Sequence, residues 1–294
     1  MKFVYRSLWL VCFTICLQVY SLAQLPPDIV FSMERGYFDT PFSLDLQSKD
    51  STASIRYTLD GSLPSADSGL LYTGPISIQT TSFVRAIAFR TDTSSQVLTH
   101  TYFFLPDIIN HGDMDQDITL NPLWRAKLPE AFEDIPTVSL VGDQAIVEPS
   151  PTGLSVEFIL PEESTSIHAN AGAKYYGRAS LNSGKKNIRL YFSPDYGGPG
   201  RLDFPLFKDH ERGIFSPGKF DHLELRGDAH ESWATEWFNT DSYIGPRFYG
   251  NTMLDMGNVH SHGRYVHLFL NGAYLGQYHL RERMNDGFMA EYFG

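Results

Sequence analysis

The residues best suited to hold a charged ligand lie between Gly172 and Phe192. Gly177-Arg178-Ala179-Ser180 reads as a small-residue turn, and Lys185-Lys186 opens the run Asn187-Ile188-Arg189-Leu190-Tyr191-Phe192. A glycine-containing turn presents free backbone N–H groups, and a nearby ammonium completes what the phosphates of a nucleotide need. Lys186 begins the run and is the candidate ammonium; Lys185 is expected on the other face. The pair also reads as two solvated lysines at a strand end. Other groupings fail on spacing. Asp113, Asp115 and Asp117 alternate as in a calcium loop, but Ile118 and Trp124 stand where an EF-hand requires glycine and an acidic ligand. His260, His262, His267 and His279 include no His-x-x-x-His pair and no cysteine neighbour, so polar strand residues are a simpler reading than zinc ligands. Asp60-Gly61 closes a hairpin rather than supplying a catalytic acid.

These residues need a frame, and residues 264–283 are its clearest part. An apolar run, Asn271-Gly272 and a second apolar run read as a hairpin with a type I′ turn. That turn sets Leu270 opposite Ala273 and Phe269 opposite Tyr274. Leu268 and Leu275 then share one face, and Tyr265, Phe269, Tyr274 and Tyr278 share the other. Large apolar side chains on both faces predict a central hairpin covered on both sides. Upstream strands are expected at 137–141, 154–160, 171–176, 186–192 and 222–226. A helix is expected over 242–256, with Ile244, Phe248 and Thr252 at spacing four, Tyr249, Met253 and Met256 on an adjacent stripe, and Gly257 as its stop. Strands, one main helix and two more strands make an α+β layer over residues 136–294.

Residues 24–106 have a different texture. Short alternating runs at 29–33, 42–47, 54–59, 75–78, 83–89 and 98–105 are separated by Gly, Pro and Asp turns, which predicts a small Ig-like β-sandwich. Residues 107–135 read as a connector, with a short helix over 121–132 packing Leu123, Trp124 and Leu128 onto the next domain. Residues 1–23 read as a signal peptide: Lys2 and Arg6 lead, 8–17 is apolar but too short to span a bilayer, and Ser21-Leu22-Ala23 suits the cleavage site. Cys12 and Cys16 both lie in that leader, so the exported chain is expected to hold together without disulfides and without a membrane span. Without Lys2 and Arg6 the 23 basic residues become 21 against 34 acidic ones, a net charge of −13. That disfavours nucleic acid and anionic membranes as partners.

Two stretches resemble known families. Gly36-Tyr37-Phe38, Pro41-Phe42, Ile55-Arg56-Tyr57-Thr58-Leu59-Asp60-Gly61-Ser62, Leu71-Tyr72-Thr73-Gly74-Pro75-Ile76 and Val84-Arg85-Ala86-Ile87-Ala88-Phe89 resemble the accessory β-sandwich of chitobiases and β-hexosaminidases, also found beside family-29 fucosidases. That resemblance implies a spacer or a glycan contact, not catalysis. The turn and lysine run above, with Phe220-Asp221-His222-Leu223-Glu224-Leu225-Arg226, Ser232-Trp233, Asp255-Met256-Gly257 and Asn271-Gly272-Ala273-Tyr274-Leu275-Gly276-Gln277-Tyr278, resemble the CotH-type atypical protein kinases.

The second resemblance implies a kinase-like N-terminal lobe, an antiparallel sheet plus one main helix, with ATP and Mg as cofactors and protein phosphorylation as the family's activity. It places Gly177, Ser180 and Lys186 at the phosphates and Glu282 at the hinge, although Glu282 also reads as a rim partner of Arg281 or Arg283. Two departures count against catalysis by this chain. Gly245-Pro246 and Gly250-Asn251 stand where the family carries Arg-Asp pairs, with upstream Glu236 as a possible substitute carboxylate. The base and metal-binding carboxylates of phosphoryl transfer belong to an opposing lobe, and His111-Gly112-Asp113 lies before the domain. The other reading is a non-enzymatic extracellular module that binds surface glycan or protein. A glycoside hydrolase would need two carboxylates across a cleft, which an accessory domain does not supply.

Overall fold

The computed structural model describes residues 28–112, 114–147, 149–161, 164–207, 216–227 and 243–294. Residues 1–27, on which the expected signal peptide falls, and Asp113, Ser232-Trp233 and Glu236 lie outside them. The first ten strands are short: β1 (Val30–Phe31), β2 (Gly36–Phe38), β3 (Phe42–Leu44), β4 (Leu46–Gln47), β5 (Ser54–Thr58), β6 (Leu70–Leu71), β7 (Ile76–Ile78), β8 (Ser82–Arg90), β9 (Thr93–Ser94) and β10 (Leu98–Phe104). The main sheet runs β2-β10-β8-β5-β6, with β9 paired to β8, and the pairs β1-β4 and β3-β7 form the facing layer. Alternation along β3, β7 and β8 sends Leu44, Ile78, Val84, Ala86 and Ala88 into one core with Tyr102 and Phe104. Asp60 serves a turn after β5, its Oδ1 accepting from Ser62 N and Ser62 Oγ at 3.0 and 2.6 Å, but the hairpin does not close at Asp60-Gly61 as expected: β5 pairs with β6 across the whole connection 59–69.

Four short helices follow: α1 (Leu105–Ile109), α2 (Gln116–Thr119), α3 (Pro122–Arg125) and α4 (Leu128–Asp134). Asp115 caps α2 by accepting from Asp117 N at 2.8 Å, so its carboxylate serves a helix start. The expected helix over 121–132 is broken in two by Pro122 and Pro129, each at the start of a helix. Leu123 and Trp124 are exposed, contrary to the expected packing; Phe132 is buried instead, in a cluster with Phe103 and Phe269.

The remaining elements are β11 (Thr137–Val141), β12 (Thr152–Leu160), β13 (Thr165–Tyr176), β14 (Asn187–Tyr191), β15 (Leu202–Asp203), β16 (Lys219–Phe220), β17 (His222–Arg226), α5 (Gly245–Asp255), β18 (Gly263–Leu270), β19 (Ala273–Glu282) and α6 (Asp286–Phe293). The chain is thus mainly strand, a β-sandwich followed by an α+β region. The second sheet goes further than the sequence suggested: it closes as a barrel, β11-β12-β13-β14-β17-β19-β18, because β11 lies parallel beside β18. Closure removes both sheet edges. Val138, Leu140, Val156, Phe158, Ala171, Ile188, Leu190, Leu223, Leu225, Val266 and Leu268 fill the interior.

Two expectations are corrected here. The β18–β19 hairpin does turn at Asn271-Gly272, with φ of 50° and 78°, and pairs Leu270 with Ala273 and Phe269 with Tyr274. The register then shifts, so that Leu268 pairs with Gly276 (φ 106°) rather than Leu275. One extra residue reverses the alternation beyond it. Tyr278 therefore enters the barrel core, while Phe269 and Tyr274 pack outside against Phe103 and Phe132. In α5 the apolar stripe faces outward: Ile244, Phe248, Tyr249, Met253 and Met256 are exposed, and Arg247, Gly250 and Leu254 are buried. Gly250 lets Arg247 and His260 lie against the helix, since a Cβ there would sit 2.8 Å from Arg247 Nη2.

Sandwich and barrel meet along β10 and β12. Thr99 Oγ1 donates to Ser155 Oγ at 2.7 Å, and Thr101 Oγ1 shares a 2.9 Å hydrogen bond with Ser139 Oγ. Glu157, fully buried, accepts from Thr101 N at 2.9 Å and from Thr101 Oγ1, and pairs with Arg35 at 3.3 Å.

Candidate functional site

The β13–β14 connection is held shut by its own residues. Gly177 has φ 120°, and a Cβ there would fall 2.0 Å from Ser180 Oγ, so no other residue fits the turn as built. Ser180 is buried, and its hydroxyl donates to Tyr176 O at 3.3 Å. Gly227 N, just beyond β17, donates to Asn187 Oδ1 at 2.9 Å. Lys185 ties the turn to β19: Nζ donates to Gln277 O at 2.6 Å, contacts Tyr243 Oη at 3.3 Å, and lies 4.9 and 5.0 Å from the Tyr243 and Tyr278 ring centres. Tyr243 Oη also donates to Gln277 O. Lys186 Nζ sits 5.1 Å over the Tyr175 ring. Gly177, Ser180 and Lys186 therefore gather at one end of the β13–β14 hairpin, each lysine with its own aromatic support.

Glu282 is elsewhere. Register across β14, β17 and β19 sets Leu190, Leu223 and Glu282 level. Lys186 lies four residues earlier on its chain, so the two are about 13 Å apart along the strands and about 10 Å across them. Glu282 is buried and accepts from His262 N at 2.7 Å, Ser216 Oγ at 2.9 Å and Tyr292 Oη at 3.0 Å. It is not a rim partner of Arg281, which turns to Glu224.

That second carboxylate is a feature the sequence reading missed. Glu224 Oε1 accepts from Arg189 Nη2 at 2.8 Å and Nε at 3.2 Å, and Oε2 accepts from Arg281 Nη2 at 2.7 Å and Nε at 3.1 Å. The three residues are cross-strand neighbours on the outer face of β14, β17 and β19. Alternation could have put Arg189 and Glu224 on outward positions, but only the sheet order makes them a row with Arg281. Burial opposes the Glu224 charge, and the two guanidiniums overcome it, holding its carboxyl below the usual range. The Arg189 guanidinium also lies 4.3 Å over Tyr176. His279, next in that face, is buried among Arg226, Arg247 and Arg281; burial first, then those charges, keep its imidazole well below its usual pKa.

The histidines have separate places. His262 meets Glu282 and Tyr292, and His267 bridges Tyr274 Oη and Ala131 O, each at 2.8 Å. Among the described residues no three His, Cys, Asp or Glu side chains are arranged to hold a metal. Around the glycine turn the amides of Leu181, Ser183 and Lys185 donate within the turn, to Arg178 O, Ser180 O and Ser183 Oγ, and Lys186 is the cation beside it that suits a phosphate. The two carboxylates flanking this sheet, Glu224 and Glu282, have both oxygens engaged, so neither fits a magnesium ion.

Residues 33–99 match the family model of the chitobiase/beta-hexosaminidase C-terminal domain. The match spans β2 to the first residues of β10, which is most of the sandwich. No curated protein matches the chain. Among the described residues no helix is long and apolar enough to cross a membrane.

Proposed function

We propose that the barrel is the nucleotide-facing lobe of an exported CotH-type protein of the atypical kinase family, with the chitobiase-type sandwich as its accessory domain. One observation carries the reading: the chain order β13, glycine turn, β14, β17, α5, β18 and β19, in which β13-β14-β17-β19-β18 are also neighbours in the sheet. Kinase logic places a glycine turn over the phosphates and one main helix beside the sheet. It also places the phosphate lysine on the third strand and a partner carboxylate in the helix. Counted from β13, the third strand is β17, which ends in Arg226, whereas Lys186 precedes the second; α5 buries Arg247 where a carboxylate is needed. Of the residues present, Lys186 would hold the phosphates. ATP with Mg, when bound, would supply the transferable phosphoryl group, but no step is assigned to residues of this chain.

The reading is tested by titrating the chain with Mg·ATP and following backbone amides by NMR. A half-open site with one partly exposed lysine contact gives millimolar affinity at best. Shifts should concentrate at residues 177–187, vanish in Lys186→Ala, and be accompanied by no phosphate transfer to protein. Shifts centred elsewhere, or indifference to Lys186→Ala, would refute the placement. A second reading, a non-enzymatic module binding glycan or protein, is favoured by the presence of Arg247 in α5 and by the cleft described next.

A further inference from the structure

A cleft of about 580 Å³ lies where sandwich and barrel meet. That volume is in the range of small-ligand sites, about 300–1,000 Å³. The sandwich lines it with Leu63, Arg85 and Gln96, and the barrel with Asp143, Asn170 and Tyr196. It is remote in the sheet from the glycine turn, and it owes nothing to the nucleotide reading.

Tyr196 is the fixed floor. It sits in a single 3-10 turn after β14, where Ser193 Oγ caps Asp195 N at 3.3 Å and Gly197 (φ 72°) reverses the chain. Its ring packs on two glycines paired across β12 and β13: a Cβ at Gly172 would be 2.6 Å from the ring, and one at Gly153 would be 3.9 Å away. Any larger residue at 172 would lift the ring. The tyrosine is half-buried and presents its remaining surface to the cleft.

Planar polar groups surround it. Arg85 is 3% exposed, donates to Gly61 O at 2.6 Å and to Ser155 Oγ at 3.3 Å, and leaves Nε buried without a hydrogen-bond partner. A buried unpaired donor is costly unless something satisfies it. Ser155 Oγ passes the chain on to Asn170 Oδ1 at 3.2 Å, which leaves the Asn170 NH2 group as a donor. Gln96 and Asp143 stand exposed on opposite walls. The lining thus carries one cation, the carboxylates of Asp143 and Asp195 at its rim, three amides (Gln96, Gln144 and Asn170) and one aromatic ring.

We propose that this cleft binds a neutral oligosaccharide. The ring offers an apolar face for the C–H side of a pyranose. Amide and carboxylate groups each offer two coplanar hydrogen-bonding atoms for adjacent hydroxyls. The exposed carboxylates of Asp143 and Asp195 repel an anionic chain, and the buried Arg85 offsets one of their two charges. Because each wall comes from a different module, neither module alone would contain the site.

The test uses the whole chain and a panel of short neutral oligosaccharides: β-1,4-glucan, β-1,4-mannan, β-1,3-glucan and β-1,4-linked N-acetylglucosamine oligomers. Calorimetry should find at least one binder, and Tyr196→Ala should weaken it at least about tenfold. Gln96→Ala, at an exposed position that leaves folding intact, should weaken it severalfold. No binder in the panel, or binding that survives both substitutions unchanged, overturns the proposal. So does a sulfated glycan or a peptide that occupies the cleft in preference to every neutral sugar. If Tyr196→Ala disturbs folding, Gln96→Ala and Asp143→Ala decide the matter.

Discussion

Replacing Glu224 by glutamine tests the outer face of the barrel most directly. The carboxylate is 4% exposed and receives paired hydrogen bonds from Arg189 and Arg281. Glutamine keeps the shape, but it removes the charge and presents an NH2 donor to one of the two guanidiniums. Breaking a buried pair by removing one partner costs ~3–5 kcal/mol. The arginine side chains keep 17% and 26% of their exposure and can recover some water. An expected loss of about 2–3 kcal/mol follows. The pH dependence gives a second signature. The folded carboxyl titrates below the ordinary 4.5, so its stabilisation is complete above that pH and is lost as pH falls through the folded value. Urea unfolding of wild type and Glu224→Gln should therefore differ most near neutrality and converge in acid. A triple replacement, Arg189→Met with Glu224→Leu and Arg281→Met, should recover much of the loss, because it leaves no unpaired charge. A neutral-pH difference below about 0.5 kcal/mol, or one that does not change with pH, would refute the reasoning.

Two further outcomes can be measured the same way. Gly272→Val should destabilise the barrel by about 1–2 kcal/mol in thermal or urea unfolding, since the position needs positive φ. A Cβ at 272 would stand 3.5 Å from its nearest neighbour, Thr81 Cγ2, so crowding is not the cause. His100 stacks on Phe31 at 4.0 Å, and burial, with the nearby Arg35, pushes its imidazole down to about 2. The unfolded chain takes up a proton below 6.5 that the folded one refuses, so stability is full above that pH and drops as pH falls, by about 2 kcal/mol at pH 5. His100→Phe keeps the stack and should flatten that slope; an unchanged slope would remove His100 as its source.

Much of the frame was legible because local chemistry dictates it. Asn271-Gly272 fixes its turn by φ alone, and β11 and β17 occupy the expected 137–141 and 222–226. What escaped depends on contacts far apart in the chain. The shift at Gly276 needs only one residue, yet it sends Tyr278 to the opposite face from Tyr274. In α5 the periodicity was real, but the direction was not readable: burial selected the Arg247, Gly250 and Leu254 side, where a glycine admits a guanidinium. The candidate site divided in the same way. Gly177, Ser180 and Lys186 are close in sequence and share one end of the β13–β14 hairpin, whereas Glu282, nearly a hundred residues on, lies apart. The Glu224 row and the Tyr196 cleft come from strands and modules that no sequence spacing connects.

The polar row between β10 and β12 has a mechanical consequence. Thr99, Thr101, Ser139, Ser155 and Glu157 bind the sandwich to the barrel side by side, through several bonds loaded in parallel. A tether attached to the sandwich would therefore pull on β12 directly, not through the four short helices of the connector. Bonds loaded together share such a load, whereas bonds loaded one after another break in turn, and Glu157 anchors the row through Thr101. The two modules would move as one lever arm, so any anchorage made at their shared cleft would set the direction in which the barrel mouth points.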